Sequence, residues 1–366
     1  MIDLTAPKPA LVAALSRAAA VADKRSTHPT LACVHLTADA GKLTIVAADL
    51  YCLSVRTTIE ADVGHPGVAA IPAKELHDRV RAMPDGPVRL AMSGGKVNLT
   101  SKGSTRRYAQ RALLADDFPP VAWPEPGLPE LRVPSAAMAA LIGRVEHAIS
   151  TDESRAFLNG MLISRTPGRL RVVAIDSHQL ALADAKLDGD GASTFLLPRR
   201  AVVELRKLCE GDEGDVAIVL SGSSAYFTVG GVSMGARLFD ATFPPYENVV
   251  PGARPCVVRA PRAPLSEAIK AVMLASDPKH GDVTLAMSTS AIVVTAKSAD
   301  AGDASEEVPA ELTGKPVAIN ASASYLLNAL ASLEGDEAAI DVGAPEDPVT
   351  FREPDFLGLV MPMRAR

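Results

Sequence analysis

Asp176-Ser177-His178 sets an acid, a nucleophile and a base side by side. Acyl-transfer chemistry needs these three to converge from separate positions, each aimed at the next, so adjacency argues against a triad. A hydrolase using Asp176 and His178 is therefore only a rival reading. Asp188-Gly189-Asp190-Gly191 opens like a calcium loop but has no glutamate at the twelfth position, and it reads as an acidic turn. The seven histidines show no metal-ligand spacing. Cys33, Cys52, Cys209 and Cys256 form no C-x-x-C, which leaves neither a zinc ribbon nor a disulfide framework and suggests buried thiols in a reducing cytosol. G-x-x-x-x-G-K-[ST], H-E-x-x-H and G-x-S-x-G are all missing. No catalytic residue, metal or cofactor is expected, and function must lie in surfaces.

Composition agrees with a folded protein that lacks a globally cationic surface. Of 366 residues 48% are apolar and 22% charged, and 37 Lys+Arg stand against 43 Asp+Glu for a net charge of -6. Disordered and fibrous chains are excluded, as is a protein that grips nucleic acid over its whole surface. The start, Met1-Ile2-Asp3-Leu4-Thr5-Ala6-Pro7-Lys8, has an acid and a proline where a secretory signal needs basic and then apolar residues. No apolar run approaches the roughly 18 residues of a membrane span. A soluble, cytoplasmic protein without membrane contact is expected.

The elements that would carry such surfaces recur three times. An apolar strand ending in an acid occurs at Leu43 to Asp49 and again at Leu170 to Asp176, a shift of 127. A strand end, a proline and an amphipathic helix occur at Ile71-Pro72 and Leu197-Pro198, a shift of 126. Phe118-Pro119, Phe243-Pro244 and Met361-Pro362 close the units at shifts of 125 and 118, where a third of the chain is 122. The third unit keeps the strand Ala291 to Ala296 and the helix Tyr325 to Leu330 but not the acid. Pro/Gly-rich linkers at 119–127 and 251–255 suggest domains at 1–122, 128–249 and 253–366.

Within each unit, helical apolar spacing (Leu11, Leu15, Ala18, Ala22; Leu76, Val80, Met83) alternates with short strand-like runs. Ser93-Gly94-Gly95-Lys96 reads as a hairpin turn. The fold class is α+β, with two helices per unit laid on antiparallel sheet. The spacing predicts helices over 8–25, 72–81, 134–150, 197–210, 261–279 and 320–334, which hold 15 basic and 9 acidic residues, whereas the rest of the chain holds 22 and 34. The candidate phosphate contacts on them are Lys24, Arg25, Lys74, Arg79, Arg144, Arg199, Arg200 and Lys207. They have no aromatic interleaving, so diffuse, sequence-neutral contact is indicated rather than base readout or stacking.

Several segments then support a resemblance over nearly the whole chain: Val360-Met361-Pro362-Met363-Arg364, Phe157 to Leu162, Val173 to Ala181, Leu197 to Leu205, and Ala115-Asp116-Asp117-Phe118-Pro119. The chain resembles the beta subunit of bacterial DNA polymerase III, the sliding-clamp family. That resemblance implies three tandem clamp domains, a head-to-tail homodimeric six-domain ring, and duplex DNA in the hole. Twelve helices at about 10 Å spacing would leave a hole of about 28 Å, enough for B-form DNA and a layer of water. Such a ring holds DNA by enclosure and keeps a polymerase near its primer by effective concentration. The implied partners are the polymerase III alpha subunit, the clamp loader, and other polymerases and repair proteins. A clamp paralogue specialised for repair or translesion partners is the second reading.

By the same resemblance, a peptide groove would be lined by Leu158, Ile175, Ser177, His178, Gln179, Leu180, Pro244, Asn248, Val249, Pro348, Leu359, Val360, Met361, Pro362, Met363 and Arg364. The ring seam would use Tyr108, Met273 and Leu274. The chain departs from the family at Ser177 and Gln179, where Gly and Arg are usual, and at Asn248, where a basic residue is common. At the helix near Tyr325 the usual preceding Asn aligns with Ser322, with Asn320 close by. At the seam, Gln110 replaces an apolar residue.

Overall fold

Proline sets where most of the helices begin. In the computed structural model, which describes residues 2–23, 26–49, 52–252, 254, 256–277, 281–298 and 302–364, the helices are α1 (Lys8–Val21), α2 (Ala73–Ala82), α3 (Ser135–Val145), α4 (Arg199–Cys209), α5 (Arg262–Val272) and α6 (Ala323–Ala331). All but α6 follow directly on a strand whose last residue is proline: Pro7, Pro72, Pro134, Pro198 and Pro261. Lacking an N–H, proline stops the ladder, and its fixed φ suits helix entry. All the helices but α2 are shorter than their apolar spacing suggested. Past Val145 and Val272 that spacing continues as the 3-10 turns Glu146–Ala148 and Met273–Ala275. The hairpin at Ser93 to Lys96 is present, with Gly94 and Gly95 at φ of 58° and 72°.

The chain divides into two compact units, residues 1–136 with 207–238 and residues 137–206 with 239–366. In the first, an antiparallel eight-stranded sheet runs Glu130–Pro134, Asp215–Ser221, Ser224–Val229, Val232–Arg237, Leu53–Glu60, Lys42–Ala48, Cys33–Asp39, Gly67–Pro72. A five-stranded sheet ends in the strand Tyr108–Arg111. Helices α1 and α2 pack on each other, α1 also on Lys42–Ala48 and Leu53–Glu60 and α2 on Cys33–Asp39 and Gly67–Pro72, and Leu11, Leu15, Leu76, Val80, Leu43 and Ile45 are all buried. In the second unit a nine-stranded sheet places Gln179–Lys186 beside Phe356–Val360. Its four-stranded sheet ends in the strand Gly302–Pro309.

Each unit thus contains one junction where strands of successive repeats share a ladder. Val232 to Ala236 pair with Leu53 to Thr57, and Gln179 to Ala183 pair with Phe356 to Val360. Both junctions join the fourth strand of one repeat to the last strand of the next. Among the described residues no helix is long and apolar enough to cross a membrane.

Candidate partner-binding groove

The turn at Asp176 shows why an acid follows this strand. Asp176 Oδ1 accepts the N–H groups of His178 and Gln179, each at 2.9 Å, which closes the chain into the next strand. That carboxylate oxygen is held by backbone and cannot orient a catalytic base. Asp49 does the same for the N–H groups of Cys52 and Leu53 at 2.8 and 2.7 Å. Ser177 takes a φ of 81°, a conformation natural to glycine and costly, by about 1 kcal/mol, for a serine. Its hydroxyl accepts a hydrogen bond from Arg155 Nη1 at 3.2 Å. The next residue, His178, stacks on Tyr325 with ring centres 6.0 Å apart.

Beside this turn lies an apolar floor. Leu180 and Leu359 are directly paired, as are Leu182 and Leu357, and together with Val173 and Tyr246 they form one buried cluster. Leu162, Ile175, Phe243 and Val250 pack around it half-buried. Tyr246 is fixed by its hydroxyl, which accepts from Arg171 Nη1 at 3.4 Å, while Arg171 itself pairs with Asp184 at 2.7 Å. Burial pushes the Tyr246 phenol pKa up, and the hydrogen-bonded Asp184 raises that of Arg171. A hollow of about 380 Å³ bordered by Leu162, Phe243, Pro244 and Tyr246 adjoins the floor.

The last residues form a wall. Met361 N–H donates to His178 O at 2.8 Å and Met363 N–H donates to Asn320 O at 2.7 Å, so the segment extends the sheet instead of trailing free. Asn320 is itself braced: its Nδ2 donates to Asp282 at 2.9 Å and its Oδ1 accepts from Thr284 at 3.2 Å. Met361 is 40% exposed, with Pro362 and Met363 half-buried and Arg364 exposed. Flexible thioethers on such a wall suit ligands of more than one shape.

The sequence-predicted residues fall into distinct places. Leu158, Leu180, Leu359 and Val360 are buried beneath the surface, Ile175, Pro244 and Pro348 are half-buried, and Ser177, His178, Asn248 and Val249 are exposed. Gln179 does not line the surface. It is buried, and its amide donates to His147 O at 3.0 Å and to Asp176 Oδ2 at 2.9 Å, bracing the turn from below. Sequence reasoning missed Arg155, Leu162, Val173, Leu182, Phe243, Tyr246, Val250 and Leu357. The alternation of Leu180 with Leu182 and of Leu357 with Leu359 was the available signal for half of the floor.

Of the candidate phosphate contacts, Lys74, Arg199, Arg200 and Lys207 are exposed on α2 and α4, and Arg79 is half-buried. Lys24 and Arg25 lie outside the described residues. Arg144 is the correction. It is 8% exposed, its guanidinium pairs with Glu353 and, at 3.1 Å, with Asp355, its Nε donates to Ser332 O at 2.9 Å, and it lies 4.6 Å over the Phe356 ring. So enclosed, it cannot reach a phosphate. At the expected seam, Gln110 is turned inward and donates to Pro72 O at 3.1 Å, Tyr108 and Met273 are half-buried, and Leu274 is 83% exposed.

Other chemistry-bearing residues have structural roles. Burial raises the thiol pKa of Cys33 to about 11 and of Cys209 to about 12. The acidic turn at Asp188 closes on Arg165, whose Nη2 donates to Asp188 O at 3.5 Å. Among the described residues no three His, Cys, Asp or Glu side chains are grouped to hold a metal ion.

Repeated domains sharing sheet edges, with an apolar cluster and a hollow at one shared edge, define a scaffold of the clamp class. The N-terminal, central and C-terminal domain models of the DNA polymerase III beta subunit match residues 2–122, 132–245 and 247–364. A beta sliding clamp of Caulobacter vibrioides is 30% identical over 99% of this chain and 100% of its own length, and one of Pseudomonas aeruginosa is 29% identical over the same shares. A solved sliding clamp from Bartonella birtlesii, bound to griselimycin, superposes with a TM-score of 0.93 at 28% identity, covering 100% of both chains. The chain belongs to the DNA polymerase III beta subunit family. It is a processivity subunit of the sliding-clamp type and not a catalytic one, and these relatives do not favour the repair-specialised reading.

Proposed function

We propose that two copies of this chain close head to tail into a ring around duplex DNA. We further infer that the Leu180–Leu359 floor and the Met361 to Arg364 wall hold the polymerase alpha subunit, the clamp loader and other polymerases and repair proteins by short peptides with apolar and aromatic anchors. The domains would run 1–122, 128–249 and 253–366.

One observation carries the ring. Both junctions within the chain pair the fourth strand of one repeat with the last strand of the next. Among the described residues one such pairing remains unmade: the fourth strand of the third repeat, Gly302–Pro309, with the last strand of the first, Tyr108–Arg111. Each is a sheet edge. An unpaired edge is a template for another chain, and its natural occupant here is the complementary edge of a second copy. Carrying over the register of the existing junctions sets Tyr108 opposite Ala304, and Arg106 opposite Glu306, of that copy. Arg107 would then have Asp303 and Glu307 as its diagonal neighbours. The 3-10 turn that carries Met273 and Leu274 packs against the strand Gly302–Pro309, which brings exposed Leu274 to the same seam.

The exposed cations of α2 and α4 would serve DNA by mobile, salt-screened attraction, since enclosure and not grip retains it. Sedimentation velocity tests the ring: the account expects a species of twice 38.1 kDa at micromolar concentration, and a stable monomer there would contradict it.

A further inference from the structure

The first junction repeats the backbone of the groove with the opposite chemistry. Arg237 N–H donates to Cys52 O at 2.8 Å, as Met361 N–H does to His178 O. Matching the two ladders residue by residue from that bond, Ser54 and Gly235 occupy the places of Leu180 and Leu359, and Arg56 and Ser233 those of Leu182 and Leu357. The four leucines of the floor have been exchanged for two hydroxyls, a glycine and a cation. Tyr226 and Arg237 stand on this same face by strand alternation.

Over it runs the linker after Phe118, with Trp123 6.2 Å from the Tyr226 ring and the Arg56 guanidinium 4.3 Å from Trp123. A side chain at position 235 would crowd this face, because a Cβ there would come 2.6 Å from Ser54 Oγ and 3.1 Å from the Tyr226 ring, so that both would have to shift. What remains is a hollow of about 280 Å³ lined by Ser54, Pro120, Val121, Ser224, Tyr226 and Arg237 among others. No carboxylate borders it, and among the described residues none pairs with Arg237, which is exposed.

We propose that this hollow is a second docking pocket, built for an extended acidic peptide segment whose carboxylate is taken by Arg237 with the hydroxyls of Ser224 and Tyr226. An uncompensated guanidinium beside hydroxyl donors favours a carboxylate, and the small residues beneath leave depth for an Asp or Glu side chain. Pro120 and Val121 supply an apolar lip for the intervening residues. A hollow of this size admits one or two side chains and not a duplex backbone. The site is open to solvent, so binding is weak and salt-dependent. Its comparison with the second junction rests on reading that junction as a peptide groove, but its own chemistry does not.

The experiment follows backbone amide shifts of the full-length isotope-labelled chain while a hexapeptide of alternating Asp and Ala is added at low salt. Saturable shifts at Ser224, Tyr226, Gly235 and Arg237 are expected. They should weaken at least tenfold in both Arg237→Glu and Arg237→Ala and vanish when Asn replaces Asp in the peptide. An apolar, aromatic-ended peptide should shift Leu359 to Met363 instead, unaffected by either variant. Absence of saturable shifts, shifts that survive in both Arg237 variants, or displacement of the acidic peptide by a short DNA duplex would overturn the proposal. Failure of the apolar peptide alone would count against the groove and leave this pocket standing.

Discussion

Glu306→Lys tests the seam at one residue pair. Register transfer sets Glu306 opposite Arg106 of a second copy, and both are exposed, so the pair contributes only about 0.5 kcal/mol. Lysine there turns that attraction into a like-charge contact of about the same size, a change of about 1 kcal/mol at each seam. A closed dimer has two seams, so the ring loses about 2 kcal/mol and its dissociation constant rises roughly 30-fold. Mass photometry across a dilution series at low salt reads this directly. The defect should shrink toward severalfold at about 0.5 M salt, where the Debye length falls to a few ångströms. Arg106→Glu added to Glu306→Lys should restore most of the affinity. Arg106 also donates to Ala82 O within its own chain, so the double variant should melt slightly earlier while still dimerising. A dissociation constant that Glu306→Lys leaves unmoved at low salt, or that the double variant fails to recover, would refute the register.

Removing residues 361–366 deletes two backbone hydrogen bonds and the Met361 surface, and should weaken an apolar, aromatic-ended peptide more than tenfold in fluorescence anisotropy with only a small loss of melting temperature. Arg144→Ala should destabilise the protein by roughly 2–4 kcal/mol in urea unfolding, because Glu353 loses its buried partner, yet leave DNA association at low salt unchanged, whereas Arg199→Glu with Arg200→Glu should reduce it. Burial holds the His147 pKa down to about 4 from an ordinary 6.5, so the folded state resists a proton that the unfolded chain accepts. Stability should therefore be full above pH 6.5 and fall by at most about 1.4 kcal/mol per pH unit between 6.5 and 4, and His147→Gln should flatten that slope in unfolding titrations.

The threefold repeat, the Pro-initiated helices and the Gly94-Gly95 hairpin were legible because each follows from local rules of spacing and dihedral preference. The acid after this strand in the first two repeats was visible as a landmark, but its role as a turn acceptor needed coordinates. Arg144 was misread because a charge count weighs every helical cation alike, while its carboxylate partners lie about two hundred residues further along the chain. The flanking Leu141, Ile142 and Val145 were the local hint that it faces a core. The inward turn of Gln110 was not legible either: the acceptor of its amide, Pro72 O, is a backbone carbonyl no pattern marks. Tyr246 and Phe243 escaped because the segment around Phe243-Pro244 was read only as the landmark that closes a unit, yet Tyr246 belongs to the groove floor and Phe243 packs against it. Matching the two junction registers could not precede knowing the ladders.

The most direct measurement joins Ala109→Cys of each copy to Asp303→Cys of the other with a short bis-maleimide in the presence of a nicked circular plasmid. The account predicts a covalent closed dimer that stays on the circle through SDS and is released by a single cut in the DNA. Formation of only open or monomeric species, or loss from the uncut circle in SDS, would contradict enclosure.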